Sequence, residues 1–395
     1  MSGITHVSLP IHYQHITHKS NTFITTNPIQ FLPFPNATTT NQNFPLLCFS
    51  ANPLSSQNQS PLVVVGSANA DIYLEIDRLP KEGETISAKT GQTLAGGKGA
   101  NQATCAAKLS YPTYFVGQVG EDAHGKLITD ALQNGGVCLD HLNTVGSAPT
   151  GHAVVMLQSD GQNSIIIVGG ANMNCWPDTL PDGDLEVVRN AGIVLLQREI
   201  PDSVNIQVAK AARSAGVPVI MDAGGMDAAI PQELLNFVDI LSPNETELGN
   251  LTGMPTESFE EITQATVKCH KLYQRGGRIG IETVKVMFHC LGVVSLMDWK
   301  GVKQVLVKFG AKGSALFIEG EEPIQQPAIP AKTVLDTTGA GDTFTAAFAV
   351  ALVEGKSKKE ALRFAAAAAS LCVQVKGAIP SMPDRKSVLD LLNYR

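Results

Sequence analysis

From residue 61 onward, short β-branched apolar runs alternate with longer stretches of helical period, and nothing else in the chain restricts its fold as strongly. Runs at Leu62–Val65, Tyr114–Val119, Ile193–Leu196, Pro218–Met221, Ile240–Ser242, Val305–Lys308 and Ala315–Ile318 read as strands. Between several of them, Gly99–Lys108, Gly125–Gly135, Val204–Ala215, Pro231–Phe237, Ser258–Leu272, Ala340–Glu354 and Lys358–Lys376 read as helices. Such alternation predicts an α/β fold: a mostly parallel sheet with helices on both faces, in three α/β/α layers. Asp71–Thr90 and Gly151–Val168 alternate apolar and polar residues with no helix between strands, the latter with strands at Ala153–Leu157 and Ser164–Val168. That pattern predicts a small antiparallel β sheet, half exposed, projecting as a lid.

Residues 1–60 have a different character: no Asp or Glu, a single Lys at Lys19, and an excess of Ser, Thr, Asn and Pro. Such a stretch buries too little apolar surface to offset its ordering entropy. It resembles an organelle transit peptide, plastid more than mitochondrial, although Arg is absent. The expected location is therefore the chloroplast or another plastid, with the cytoplasm as the alternative. A body readable as one domain follows over residues 61–395. The net charge of −7 argues against a nucleic acid as partner. No apolar run reaches the length of a membrane span. The seven cysteines are scattered and lack CxxC spacing, so neither a disulfide framework nor a zinc site is expected.

Two glycine-rich strings carry the chemistry. In Asp336-Thr337-Thr338-Gly339-Ala340-Gly341-Asp342-Thr343-Phe344, three nearly side-chain-free residues open a helix. Their N–H groups can approach an anion closely, and the helix dipole adds favourable potential. Asp342 sits in that field. A carboxylate that deprotonates a hydroxyl, beside donors that absorb phosphoryl charge, is what phosphoryl transfer to an alcohol requires. The second string, Gly96-Gly97-Lys98-Gly99-Ala100-Asn101-Gln102, also opens a helix and converges polar groups suited to a polyol. It is not a Walker-type phosphate loop, because Gly99 follows Lys98 where Ser or Thr is needed.

Together the two strings resemble the signatures of the ribokinase (PfkB-type) carbohydrate kinases, over roughly residues 61–390. The resemblance implies a ribokinase-like fold, Asp342 as catalytic base, and an anion hole at Gly339, Ala340 and Gly341. It implies sugar contacts from Asn69, Ala70, Asp71, Gly97, Lys98, Gly99, Ala100, Asn101 and Glu199. It places ATP and Mg²⁺ against Asn244, Glu247 and the turn Lys308, Phe309, Gly310, Ala311, Lys312 and Gly313, where the family often has Thr at the position of Lys308. Asn244 and Glu247 equally match a helix capping pair. The resemblance further implies a K⁺ or other monovalent-cation site at Asp336, Thr338, Cys372, Val375, Gly377 and Ser381, and a homodimer. Ala366 stands where relatives often have a polar residue near adenine.

The implied reaction is ATP-dependent phosphorylation of D-ribose at O5. The alternatives are another sugar or nucleoside as acceptor, and a catalytically inactive member with a binding role. The segment 273–300 departs from the pattern: removing it joins Leu272 to Gly301 as helix, glycine and strand. It reads as a translated intervening sequence or as an inserted surface element.

Overall fold

The computed structural model describes residues 59–159, 163–226, 228–274 and 302–393. The expected leader lies outside them except for its last two residues, and the segment 273–300 except for its first two.

In chain order the strands are β1 (Leu62–Val65), β2 (Asn69–Ile76), β3 (Thr90–Gly96), β4 (Thr113–Gly120), β5 (Cys138–Val145), β6 (Gly151–Gln158), β7 (Asn163–Val168), β8 (Ile193–Arg198), β9 (Val219–Gly225), β10 (Ile240–Ser242), β11 (Gln304–Lys308), β12 (Ser314–Ile318) and β13 (Ile324–Gln326). The helices that position the site are α1 (Lys98–Lys108), α2 (Ala123–Asn134), α3 (Asp182–Arg189), α4 (Asp202–Ser214), α5 (Gln232–Leu235), α6 (Glu245–Thr252), α7 (Phe259–Gln274), α8 (Ala340–Val353), α9 (Lys358–Cys372), α10 (Ala378–Ser381) and α11 (Arg385–Asn393).

The large sheet runs β13-β12-β11-β10-β9-β8-β1-β4-β5. It is parallel from β11 to β5 and antiparallel at the β11–β12–β13 edge. β1 is wholly buried, and its alternate side chains feed two separate cores. Leu62 and Val64 pack with α1, α8 and α9, whereas Val63 and Val65 pack with α3, α4, α6 and α7. A strand apolar on both faces is what a sheet covered on both sides demands. This is the expected three-layer α/β/α architecture.

The small sheet runs β3-β2-β6-β7. Its outer pairs are antiparallel, as expected, while the central pair β2–β6 is parallel. Both central strands leave the main sheet from its carboxyl edge, β2 after β1 and β6 after β5, so they travel the same way. The sequence reading of Asp71–Thr90 as continuous alternation is corrected here. β2 ends at Ile76, and the second strand of the pair begins only at Thr90, after a polar connection containing Pro80 and Gly83. Likewise the helix read to Lys376 stops at Cys372, where the chain turns.

β1 is flanked by β4 on one side and β8 on the other, so the strand order reverses there. Open parallel sheets bind ligands outside the carboxyl ends at such a reversal. The segments leaving β1, β8, β9 and β11 at that edge build the site.

Candidate active site

α1 and α8 bring the two glycine-rich strings together. Gly97 caps α1 at φ +88, and a Cβ there would stand 2.7 Å from the Asn69 nitrogen, so the loop closes tightly onto the start of β2. Gly339 caps α8 at φ +77, again in the left-handed region. Asp342 lies in the first turn of α8, buried. Asn101 Nδ2 donates to it at 2.9 Å and Gln102 Nε2 at 3.2 Å, both from α1, and Lys98 Nζ lies 3.9 Å away. Asp342 and the two polar residues of the first glycine-rich string are thus in direct contact, although they are far apart in sequence.

The residues expected to contact a sugar form the opposite wall. Asn69 and Asp71 open β2 and are buried. Asn172, buried to 1 %, accepts from Ala68 N at 2.9 Å and donates to Asn69 Oδ1 at 2.7 Å, which fixes the amide. Glu199, just beyond β8, accepts from Ser67 Oγ at 2.5 Å and from Lys98 N at 3.1 Å. Its charge therefore sits at the N-terminus of α1, where the dipole favours it. The Asn101 Oδ1 has no partner among the described residues although buried. Buried polar atoms are normally satisfied, so an acceptor held in this pocket is suited to a ligand hydroxyl. Ala70 and Ala100 are buried and offer only backbone.

Charge is concentrated. Burial raises the Asp71 carboxyl to about 7, with Glu199 and Asp342 adding to the rise. Burial also raises Asp342; Lys98 and the two amide donors counter it, and Asp222 reinforces it. Burial opposes the charge on Lys98, but Asp222, Asp342, Glu199 and Glu247 outweigh it and hold the ammonium firmly protonated.

The residues expected to contact the nucleotide are split. The turn Phe309–Gly313 joins β11 to β12, with Gly310–Lys312 as a single 3₁₀ turn. The Phe309 ring is packed edge-on against Phe259 beneath the turn, so this residue offers a ligand only its backbone. Lys312 reaches outward to Glu245 at 3.7 Å. Gly310 and Ala311 are exposed. Asn244 and Glu247 form a reciprocal capping box on α6, at 2.8 Å each way. The Glu247 Oε1 faces the Gly224–Lys98 side of the site, 2.5 Å from where a Gly224 Cβ would lie.

Asp336 clasps the last two loops. Its Oδ1 accepts from Thr338 N at 2.9 Å and its Oδ2 from Gly377 N at 2.8 Å. Cys372 and Ser381 lie 3.1 Å apart, Sγ to Oγ, and Val375 N donates to the Cys372 carbonyl at 3.1 Å. Among the described residues no group of three or more His, Cys, Asp or Glu could hold a metal. Any cation here would meet mainly hydroxyl and carbonyl oxygens.

The pattern that defines the pfkB family carbohydrate kinase matches residues 59–281 and 292–385. The chain belongs to the pfkB family of carbohydrate kinases. The break at 282–291 falls inside the segment set apart by its sequence. Ribokinase of Arabidopsis thaliana is 63 % identical over 100 % of this chain and 99 % of its own, and that of Bacillus subtilis 36 % over 84 % and 99 %. A structure of Arabidopsis thaliana ribokinase complexed with ribose and ATP superposes with TM-score 0.76 at 72 % identity, covering 85 % of this chain and 99 % of that one.

Several site residues of this pfkB chain carry no signature. Asp222 lies within β9, fully buried, between Lys308 Nζ at 2.6 Å and Lys98 Nζ at 3.3 Å. Gln197 Nε2 donates to Gln102 Oε1 at 2.7 Å and orients the Gln102 amide toward Asp342. The only trace of Asp222 in the sequence is an acid at the end of the apolar run Val217–Met221, before Gly224 and Gly225. Asn172 sits in a polar loop with nothing to distinguish it.

Proposed function

We propose that this chain phosphorylates D-ribose at O5 with ATP. The observation that carries the reading is the direct bonding of Asp342, at the N-terminus of α8, to Asn101 and Gln102 of the polyol-binding string. The Asp342 carboxylate takes the proton from the sugar hydroxyl as its oxygen attacks the terminal phosphorus of ATP. The O–P bond to ADP breaks, and the proton remains on Asp342. Burial, by raising Asp342, makes it a stronger base than a solvated carboxylate. Donors at the start of α8, from Gly339 and Gly341, meet the charge that develops on the phosphoryl oxygens, while Ala340 N already donates to the Thr337 carbonyl at 3.2 Å and shapes the loop. Asn69, Asp71 and Glu199 hold the remaining hydroxyls, and the lid excludes water that would otherwise accept the phosphoryl group.

The residues fit Mg²⁺ and K⁺. Glu247 keeps one carboxylate oxygen clear of its capping bond, on the phosphate side of the site, as a hard cation with a water shell requires. Mg²⁺ would neutralise phosphate charge there. The Asp336 clasp sets Thr338, Cys372, Val375, Gly377 and Ser381 in two adjoining loops that suit a monovalent cation, whose role is to brace the anion-hole loop. The homodimer reading rests on β7, an edge strand with Ile165, Ile166, Ile167 and Val168 all exposed. The plastid reading rests on the acid-free leader, and a fluorescent fusion of residues 1–60 seen only in the cytosol would refute it.

The test is ATP consumption by the purified full chain with Mg²⁺, comparing ribose, fructose, adenosine and no sugar, with K⁺ present and omitted. Ribose-dependent turnover is expected, and Asp342→Asn should lower kcat by about 100- to 10,000-fold with ribose binding retained. Turnover with adenosine or fructose but not ribose would overturn the substrate assignment.

A further inference from the structure

Four charged side chains form one alternating row through the site: Lys308, Asp222, Lys98 and Asp342. The separations are 2.6 Å, 3.3 Å and 3.9 Å in that order. The reaction uses Asp342, and Lys98 belongs to the polyol string. Lys308 opens the turn that the sequence resemblance sets against ATP, with no role given to its ammonium, and Asp222 has no assigned part. Yet Asp222 is the most fully engaged carboxylate of the site. Its Oδ1 accepts from Gly224 N at 3.0 Å and Lys98 Nζ, and its Oδ2 from Lys308 Nζ and, at 3.5 Å, Thr345 Oγ1. Those donors come from β9, α1, β11 and α8. A buried carboxylate is expensive to desolvate and persists only where paired and hydrogen-bonded this completely.

The direction in which it holds Lys308 is informative. Lys308 Nζ stands 3.8 Å from the point that a Cβ on Gly341 would occupy. It therefore reaches the loop of backbone donors at the start of α8, with its side chain 13 % exposed. An ammonium has three donor hydrogens, and Asp222 engages it through a single oxygen. The others remain for an anion. The loose transition state of phosphoryl transfer spreads charge over three equatorial oxygens, which backbone donors and a fixed cation stabilise together.

We propose that Lys308 is a further catalytic residue that binds the transferring phosphoryl group, and that Asp222 is the positioning residue that holds Lys308 against the anion hole and Lys98 against Asp342. This rests on the reading of the site as an ATP-dependent kinase. Two predictions separate Lys308 from a residue that merely shapes the nucleotide turn. Removing its charge slows transfer without weakening the sugar, and it weakens a nucleotide bearing a γ-phosphate more than one without. Asp222, acting through Lys308 and Lys98, loses its effect on transfer in large part once Lys308 is gone.

The experiment compares the wild-type chain with Lys308→Thr, Lys308→Arg, Asp222→Asn and the double variant Lys308→Thr/Asp222→Asn. It reads kcat, KM for ribose, thermal melting, and calorimetric dissociation constants for ADP and a non-hydrolysable ATP analogue. Lys308→Thr should lower kcat about 100-fold and leave KM for ribose within about threefold. It should weaken the analogue by more than about tenfold and ADP by much less. Lys308→Arg, which keeps the charge, should recover part of kcat, and the double variant should fall short of the product of the single effects. Unchanged kcat in Lys308→Thr, or equal losses for ADP and the analogue, would overturn the proposal. If the wild-type chain consumes no ATP with any sugar, the kinase reading fails; the nucleotide-binding comparison still decides whether Lys308 meets the γ-phosphate.

Discussion

Asp71 is buried beside Glu199 and Asp342, and burial, with those two charges, raises its carboxyl from 3.8 to about 7. A carboxyl held above its unfolded value contributes stability that is complete below 3.8 and is lost as the pH rises through about 7. The chain without sugar should therefore lose part of its melting temperature across that window, and Asp71→Asn should remove that part of the pH dependence. Sugar hydroxyls donating to Asp71, as proposed, would favour its ionised form. Ribose binding near pH 7 should accordingly release a proton, seen as a binding enthalpy that varies with the ionisation enthalpy of the buffer. A buffer-independent enthalpy would contradict this. At this scale the legible residues were those in strings. Asn101 and Asp342 announced themselves because glycine spacing and a helix start surround them. Asp222, Asn172 and Gln197 did not, because each acts through partners far along the chain, and a lone buried polar residue reads like any other until the fold supplies its neighbours.

At the scale of elements, the start of α8 carries a backbone demand as well as a chemical one. Gly339 has φ +77, and an added Cβ would lie 3.1 Å from the Ala378 Cβ. Gly339→Ala should destabilise the chain by about 1–2 kcal/mol in urea titration, from the left-handed backbone alone, and should lower kcat further by tilting the anion-hole amides. A variant of wild-type stability would refute the strain argument. Buried parallel strands such as β1 and β8 were legible because they are continuous apolar runs. β5 was not: Cys138–Val145 is an edge strand, half exposed, and its Asp, His and Asn residues disguise its period. α3 and α11 are short, with only one or two buried positions each besides their partly buried contacts, too few to mark a face. α9 was read too long because its alanine-rich interior does not mark the turn after Cys372, where the chain bends to meet Asp336.

On the scale of the whole molecule, the lid exposes four consecutive apolar residues on β7, from 41 % to 57 %. An exposed apolar edge strand pairs readily with another chain. If a second copy covers it, Ile166→Glu should convert a dimer to a monomer in sedimentation experiments and leave the fold of the large sheet intact. A wild-type chain that sediments as a monomer at all concentrations would dismiss the pairing. The lid also meets the body at Lys376 and Glu75, 2.6 Å apart and exposed, a contact too weak to lock it.

Asn69 and Asp71 are the first and third residues of β2, so two of the polar groups assigned to the sugar ride on the small sheet itself, whereas Lys98, Asn101 and Glu199 belong to the body beneath it. Gly66, Ser67 and Ala68 alone separate β2 from the buried end of β1. Any swing of the lid therefore carries part of the pocket with it. An affinity measured for the sugar is then diluted by the fraction of molecules whose lid stands open. Substitutions that stiffen this three-residue link, remote from every hydroxyl, would tighten sugar binding while slowing departure of the phosphorylated product, trading throughput for grip.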